Sequence, residues 1–166
     1  EGAVLKFANL KFANLEGANL RNRNLSQANL RGANLTDSNL KGVNLVFSIL
    51  ILAKLNRIDL KGADLSRANL SGAYLDQANL DQANLKGVDL RGANLKEANL
   101  KRANLNQVNM RGVNLTGAYL KNADLNEANL DRANLTEANM KNIRNLDSAI
   151  KCKTIFSWGE DNSGCE

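Results

Sequence analysis

The chain has 166 residues, of which 43% are hydrophobic and 4% aromatic, and its 22 Lys and Arg residues outnumber 17 Asp and Glu residues to give a net charge of +5. It contains no His, the side chain that most often serves as a general base and as a metal ligand. Its most apolar run, residues 46–53, is far shorter than the roughly 20 apolar residues that a membrane-spanning helix requires. The composition therefore indicates one domain without histidine-based catalysis, a histidine metal centre or a membrane-spanning helix.

A five-residue pattern runs almost unbroken from residue 1 to residue 140. Every fifth residue from Leu5 to Met140 is Leu, except Met110 and Met140. Asn or Asp usually precedes it, and a small residue, most often Ala, usually stands two places before it. In an α-helix successive leucines would point about 140° apart, and in a strand they would alternate between the two faces. A chain that turns a corner in every pentad instead points each Leu toward one axis. The period therefore predicts a solenoid with Leu and Ala inside.

The tandem sequence A(N/D)LXX, seen as RGANLKEANLKRANL over residues 91–105, resembles the pentapeptide-repeat family throughout residues 1–140. The resemblance implies an all-β fold, a right-handed quadrilateral β-helix with one pentad on each side. At twenty residues a coil, residues 1–140 would form about seven coils. We expect the outward Asn residues to stack in ladders and to satisfy backbone groups in the turns.

Charged residues separate onto adjoining faces of this four-sided coil. The more basic face has six cations and one carboxylate, and the next face has two cations and six carboxylates. The basic row is sparse and lacks aromatic stacking partners, so a solvated surface is favoured over nucleic-acid binding. The basic row consists of Lys11, Arg31, Lys54, Arg91, Arg111 and Arg132 with Asp131, and the acidic row of Glu16, Asp37, Asp59, Asp76, Glu97 and Glu137 with Arg57 and Lys96.

The first coil departs from the pattern. Phe7 and Phe12 occupy outward positions that are polar or Gly almost everywhere else, so we expect them to contact residues N-terminal to the chain or another copy of it. Arg23 replaces Ala at an inward position, and because a buried unpaired guanidinium is costly, we expect a distorted corner that lets it reach solvent. Glu1 lies within a repeat, which is compatible with a removed targeting segment.

The sequence VFSILILAKL, residues 46–55, keeps the leucine phase but replaces polar outward residues with apolar ones. In the four-sided coil, Phe47 lies two coils from Phe7, and Leu52 lies two coils from Phe12. An exposed apolar patch often marks a partner-binding surface. The alternative is that an outside loop or a trimmed N-terminus covers it. The candidate partner surface consists of Val46, Phe47, Ile49, Ile51, Leu52 and Tyr74.

No residues with catalytic spacing occur in the regular region between residues 59 and 140. Asp76, Asp81 and Asp89 alternate with Gln and Lys and are predicted to point outward. Leucine fills the axis and leaves no room for a pocket. We therefore predict that the protein is not an enzyme, that it uses no cofactor or metal, and that it has no small-molecule substrate.

The repeat stops near Asn145, and residues 141–166 are predicted to form a C-terminal cap. Apolar residues then recur at helical spacing, with Asn145 as a candidate N-cap, which predicts a short amphipathic α-helix over residues 146–152. The apolar residues that follow are predicted to form a strap over the last coil. They are Ile155, Phe156 and Trp158.

Both cysteines, Cys152 and Cys165, lie in the cap. A metal site would lack other soft ligands, and a redox-active pair would need C-x-x-C spacing. We therefore predict a structural disulfide, which would contribute about 3 kcal/mol. A disulfide indicates an oxidising compartment, and the resemblance, which is to cyanobacterial and chloroplast members, suggests the thylakoid lumen or the periplasm, with the cytoplasm as the alternative.

Two functions from different classes follow from these features. The first is a non-enzymatic scaffold that binds an unidentified protein through the exposed apolar residues. The alternative is mimicry of duplex DNA, by which some pentapeptide-repeat proteins inhibit or protect a topoisomerase such as gyrase. Those proteins present a markedly acidic rod, whereas this rod is net basic. A monomer and a head-to-head dimer through the N-terminal coil are both compatible with the pattern.

Overall fold

Each pentad contains one tight turn. The computed structural model describes residues 5–165. In its first pentad the backbone N–H of Ala8 donates to the carbonyl of Leu5 at 3.1 Å, and the same step recurs at later leucines. The residue two places after Leu adopts a left-handed φ, as Phe7 does at 62° and Gly32 at 64°. The turn bends the chain in every pentad, so a five-residue period directs each Leu to the same side.

Successive coils are stacked twenty residues apart. Parallel bridges join Asn9 to Asn29 and recur at this spacing up to the pair of Asp124 and Arg144. The N–H of Leu10 donates to the carbonyl of Asn29 at 2.7 Å, and neighbouring coils repeat this bond. Four pentads therefore complete one coil, and the backbone of each coil is hydrogen-bonded to the coils on either side of it.

Leucine and the small residue two places before it fill the axis. From Leu25 to Leu135 these inward apolar side chains are almost completely buried. Each buried Leu contributes about 1.5–3 kcal/mol to the free energy of unfolding. Ser48 replaces Ala at one inward position, and its hydroxyl donates to the carbonyl of Leu45 at 2.6 Å. This bond satisfies a polar group that would otherwise be buried without a partner.

The Asn residues before each Leu form ladders along the outside. Oδ1 of Asn99 accepts the backbone N–H of Lys101 at 3.3 Å, and Nδ2 of Asn99 donates to Oδ1 of Asn79 at 3.1 Å. The same ladder bond joins Asn104 to Asn84 at 3.0 Å. One amide therefore stabilises the following turn and links two coils.

The first described coil has no distorted corner at Arg23. The N–H of Arg23 donates to the carbonyl of Leu20 at 3.1 Å, and its carbonyl accepts the N–H of Asn44 at 3.0 Å, as in regular pentads. The Arg23 side chain is nevertheless exposed. Leucines of this coil, such as Leu5, are only partly buried, and the exposed Arg23 side chain needs no distorted backbone. The predicted distortion is wrong for that reason, and Glu1 lies outside the described residues.

Three short strands join the tail to the stack, namely β1 (Asn134–Leu135) in the last coil and β2 (Thr154–Phe156) and β3 (Gly159–Asp161) in the tail. They form one sheet in the order β1-β2-β3. β2 is parallel to β1 with Ile155 opposite Asn134, an offset of one residue more than in the regular coils. β3 is antiparallel to β2. β2 therefore occupies the place of the next coil, and β3 covers its outer edge.

The α-helix predicted over residues 146–152 is not formed. A 3₁₀ turn spans Leu146–Ser148, and Asn145 has a left-handed φ of 58° with no side-chain capping bond. Ile150 instead pairs with the coil below, because its N–H donates to the carbonyl of Ala128 at 2.9 Å. So short a helix is marginal alone, whereas extended chain satisfies the open edge of the last coil. Within residues 5–165 no helix has the length and apolar character to cross a membrane.

Candidate partner-binding surface

The residues of the predicted partner surface lie on the outside of the solenoid. Phe47, Ile49, Leu52 and Tyr74 have exposed fractions between 39% and 52%. Two further members are half-buried beside them, Val46 and Ile51. Nothing within residues 5–165 covers these side chains, so no described loop shields the surface.

A column of turn residues connects Phe12 with this surface. Phe12, Gly32, Leu52 and Gly72 occupy the same position in successive coils. A Cβ atom added to Gly32 would lie 2.5 Å from Cδ1 of Phe12, and one added to Gly72 would lie 2.8 Å from Cδ2 of Leu52. Each apolar side chain therefore lies over the glycine of the next coil. The predicted N-terminal contact residue Phe12 and the predicted partner-surface residue Leu52 consequently belong to one apolar strip.

A neighbouring column contains Phe7 and Phe47, separated by Gln27. Phe7 and Phe12, at 62% and 68%, are more exposed than Phe47, the third phenylalanine on the outside of the rod. A cation lies over each of the three rings, an arrangement that stabilises exposed sites by about 0.5–1 kcal/mol. The pairs are Lys6 with Phe7 at 4.8 Å, Lys11 with Phe12 at 4.9 Å and Arg67 with Phe47 at 5.7 Å.

The pentads that supply these residues contain no carboxylate. Residues 6–15, 26–35, 46–55 and 66–75 include five cations and no Asp or Glu. None of the five forms an ion pair with another residue of the described chain. We call this surface the apolar–basic patch; its members are Phe7, Phe12, Phe47, Ile49, Leu52 and Tyr74 with Lys6, Lys11, Arg31, Lys54 and Arg67. Arg31 and Lys54 are predicted from the sequence to belong to a solvated row, and the missing carboxylates are the signal that links them to the patch.

Elsewhere on the rod, several carboxylates form ion pairs with cations. Oδ1 of Asp37 accepts Nε of Arg57 at 2.8 Å and Oδ2 accepts Nη2 at 2.7 Å, and these hydrogen bonds lower the pKa of Asp37. Asp81 is buried and accepts Nη2 of Arg102 at 2.8 Å, with Nζ of Lys61 at 3.4 Å. The patch cations differ from Arg57, Lys61 and Arg102 because they form no ion pair in residues 5–165.

The most basic face of the rod is not the basic row predicted from the sequence. Its pentads begin at residues 21, 41, 61, 81, 101, 121 and 141 and contain nine basic and three acidic residues. An open groove on this face is lined by Arg21, Lys41 and Lys61. Lys41 and Lys61 already pair with Asp59 and Asp81, and the face carries no aromatic side chain. This face is therefore a solvated basic surface.

The cysteines are joined in the structure. A disulfide links Cys152 and Cys165, which are 13 residues apart, beside an open cleft that Lys153 helps to line. Thr154 is buried, and its hydroxyl donates to the carbonyl of Leu130 at 2.7 Å. The disulfide closes a loop within the tail, and the Thr154 bond holds the tail against the last coil. Residues 5–165 contain no group of three or more His, Cys, Asp or Glu side chains placed to hold a metal ion.

These features coincide with a known family. A family model described as pentapeptide repeats (8 copies) matches residues 1–22, 24–57, 50–82, 78–117 and 114–144. The chain therefore belongs to the pentapeptide-repeat family, which confirms the resemblance seen in the sequence, and its solenoid is a right-handed β-helix. A search of curated protein sequences finds no significant match.

Solved structures of pentapeptide-repeat proteins resemble this chain. HetL, involved in heterocyst differentiation regulation in the cyanobacterium Nostoc sp. strain PCC 7120, is 27% identical with a TM-score of 0.63; the match covers 89% of this chain and 78% of HetL. Rfr23 from the cyanobacterium Cyanothece 51142 is 28% identical with a TM-score of 0.45, over 82% of this chain and 86% of Rfr23. Full-length QnrB1, a plasmid-mediated fluoroquinolone resistance protein, is 18% identical with a TM-score of 0.44, over 89% and 83%.

Proposed function

We propose that this chain is a non-enzymatic scaffold that binds a protein partner through the apolar–basic patch. The observation that carries the proposal is the continuity of the patch, in which Phe12 and Leu52 share one column and Phe47 lies on the adjoining column. Contiguous exposed apolar side chains on the surface of a soluble protein usually mark a binding site. The rest of the rod exposes mainly polar side chains and a few scattered apolar ones, so the patch is a local departure from a repeating surface.

Two patch residues occupy positions where the fold would gain from Asn. Ile49 and Tyr74 stand in the ladder columns, between Asn29 and Asn69 and between Lys54 and Asn94. An Asn there could accept a turn N–H, as Asn99 does, and one such bond is worth about 1 kcal/mol. The apolar side chains give up this stabilisation while remaining exposed, which supports a role in binding rather than in folding.

We also propose an oxidising compartment, the thylakoid lumen or the periplasm. The support is the Cys152–Cys165 disulfide, because stable disulfides are rare in the cytosol. The Leu-filled axis supports a rigid scaffold rather than an enzyme, since a catalytic site generally needs a cavity. HetL is named for a part in regulation of differentiation, which is compatible with a scaffold that acts through a protein partner.

The test is capture of partners by immobilised protein from a lumenal or periplasmic extract, quantified by mass spectrometry. We expect the double substitution Phe47→Ser and Leu52→Ser to abolish capture of any partner that the native chain retains, because it removes the two central apolar anchors. Tyr119→Ser is the matched control, since Tyr119 is similarly exposed, at 46%, on another face. Thermal melting would verify that both variants fold. Equal capture by the native chain and the double variant would refute the proposal.

A further inference from the structure

We infer that the partner of the apolar–basic patch is an acidic amphipathic protein segment, in which carboxylates alternate with apolar side chains. The inference rests on the proposed function, because it specifies the chemistry of the partner that binds the same patch. Three features of the patch support it: unpaired positive charge, the position of that charge among the apolar side chains, and the coverage of the aromatic rings.

No carboxylate of the described residues neutralises the positive charge of the patch. Lys6, Lys11, Arg31, Lys54 and Arg67 form no ion pair among residues 5–165. Farther along the same faces, by contrast, Arg91 and Arg111 pair with Asp89 and Asp131 at 2.7 Å and 2.9 Å. The patch therefore presents positive charge to whatever binds it, and charge complementarity favours an acidic partner.

The carboxylates that border the patch already have hydrogen-bond partners. Oε2 of Glu16, on the adjoining face, accepts Nδ2 of Asn34 at 3.0 Å. Oδ1 of Asp76, beyond Tyr74, accepts Nδ2 of Asn94 at 2.8 Å. Neither carboxylate forms an ion pair with a patch cation in residues 5–165, so both mark the edge of the patch.

The cations lie among the apolar side chains rather than around them. Arg31 belongs to the coil between Phe12 and Leu52, and Lys54 is bridged directly to Tyr74. A partner that covers the apolar side chains must therefore cover these cations as well. Burying an unpaired cation is costly, so the partner has to supply carboxylates inside the interface. An alternation of acidic and apolar side chains meets that requirement.

Other anionic partners fit the patch less well. Single-stranded nucleic acid binds by stacking bases on exposed aromatic faces, but a cation covers each Phe ring and Phe12 also lies over Gly32. An anionic bilayer would have to take up Arg31 and Lys54 together with the apolar side chains, which is costly below the headgroups. A protein segment can place a carboxylate beside each cation.

A fluorescent peptide that alternates Glu with Leu and Phe is the probe, and the same peptide with Lys in place of Glu is its control. Fluorescence anisotropy would measure the binding of each peptide to the full chain at low and at high salt. We expect the acidic peptide to bind, the basic peptide not to bind, and the affinity for the acidic peptide to fall as salt rises. The triple variant Arg31→Glu, Lys54→Glu and Arg67→Glu should weaken acidic-peptide binding about tenfold or more.

A matched triple variant provides the control for net charge. Lys101→Glu, Lys121→Glu and Lys141→Glu reverse three cations of another face that also form no ion pair in residues 5–165. This variant should bind the acidic peptide nearly as the native chain does. The inference is overturned if the acidic peptide fails to bind the native chain, or if both triple variants weaken binding equally. It is also overturned if phosphatidylglycerol vesicles or oligo(dT) bind through the patch cations and the peptide does not.

The capture experiment separates this inference from the proposed function. If the Phe47→Ser and Leu52→Ser variant loses the captured partner while the patch triple variant keeps it, protein binding stands and the acidic segment is refuted. If both variants keep the partner, the proposed function itself fails. If the Phe47→Ser and Leu52→Ser variant and the patch triple variant both lose the partner while the matched triple variant keeps it, the result supports the proposed function and the acidic segment.

Discussion

Asp81 shows how one side chain links three coils. It is the only charged side chain that is buried among residues 5–165. Burial opposes ionisation of the carboxyl, yet hydrogen bonds from Arg102, Gln82 and Lys61 outweigh that effect and hold the pKa of Asp81 below its usual value. Lys61 belongs to the preceding coil and Arg102 to the following one. The carboxylate therefore joins cations that would otherwise repel one another along the most basic face.

Asp81→Asn should lower the free energy of unfolding by about 2 kcal/mol at neutral pH, because Lys61 and Arg102 lose their common carboxylate. The lowered pKa means that ionised Asp81 stabilises the fold above its unfolded-state pKa, and that this stabilisation is lost as the pH falls through the folded-state pKa. The difference between native chain and variant should therefore disappear in acid. Chemical denaturation at neutral and acidic pH would test this, and a difference of the same size at both would contradict it.

The pentad is the element that sequence alone predicts best. Its five-residue period requires a corner in every repeat, which correctly assigns each Leu to the inside and residues such as Phe47 and Leu52 to the outside. The contact between Phe12 and Gly32 could not be predicted in the same way. It depends on the left-handed turn backbone that aims a side chain along the axis, and the residue pattern does not contain that direction.

The tail is the element that sequence predicts least well. Leu146, Ala149 and Ile150 have helical spacing, and local pattern therefore favours a helix. The last coil, however, presents an unpaired backbone edge, and the N–H of Leu130 donates to the carbonyl of Ile150 at 2.8 Å. Satisfying that edge outweighs a helix too short to be stable alone. The interaction that competes with the helix is a tertiary hydrogen bond, and the local spacing of apolar residues does not predict it.

The disulfide should stabilise the tail and leave the middle of the rod unaffected. We expect protein purified without reductant to contain no free thiol. In a double variant, Cys152→Ser and Cys165→Ser, amide exchange at Ile150 and Ile155 should accelerate while exchange at Asn99 stays unchanged, because a solenoid unfolds locally from its ends. The loss at the tail should be about 3 kcal/mol. Hydrogen–deuterium exchange would measure this loss, and equal acceleration throughout the rod would contradict local unfolding from the tail.

The charge of the whole rod argues against imitation of duplex DNA. The net charge is +5, and on the most acidic face Asp37 pairs with Arg57, Asp59 with Lys41 and Glu97 with Lys96. A DNA mimic needs a continuous negative field like that of phosphates, and these cations interrupt it.

In a supercoiling assay with purified gyrase, the native chain should therefore leave the rate of supercoiling unchanged. The reaction without the chain is the control. Inhibition that increases with the concentration of the chain would contradict this expectation and would make DNA mimicry the favoured function.

Because successive coils are stacked twenty residues apart, a surface can change its direction around the axis without a large change in its position along the axis. An insertion of one pentad between the patch and the tail would rotate everything beyond it by a quarter turn about the axis, so Cys152 and Cys165 would face another way relative to Phe47. An insertion of four pentads would restore the bearing and add about 4.8 Å to the length. The number of pentads between two surface sites thus specifies their relative orientation about the axis and their separation along it. Insertion of whole pentads can therefore change the direction of a binding surface while the core keeps the same kinds of contact.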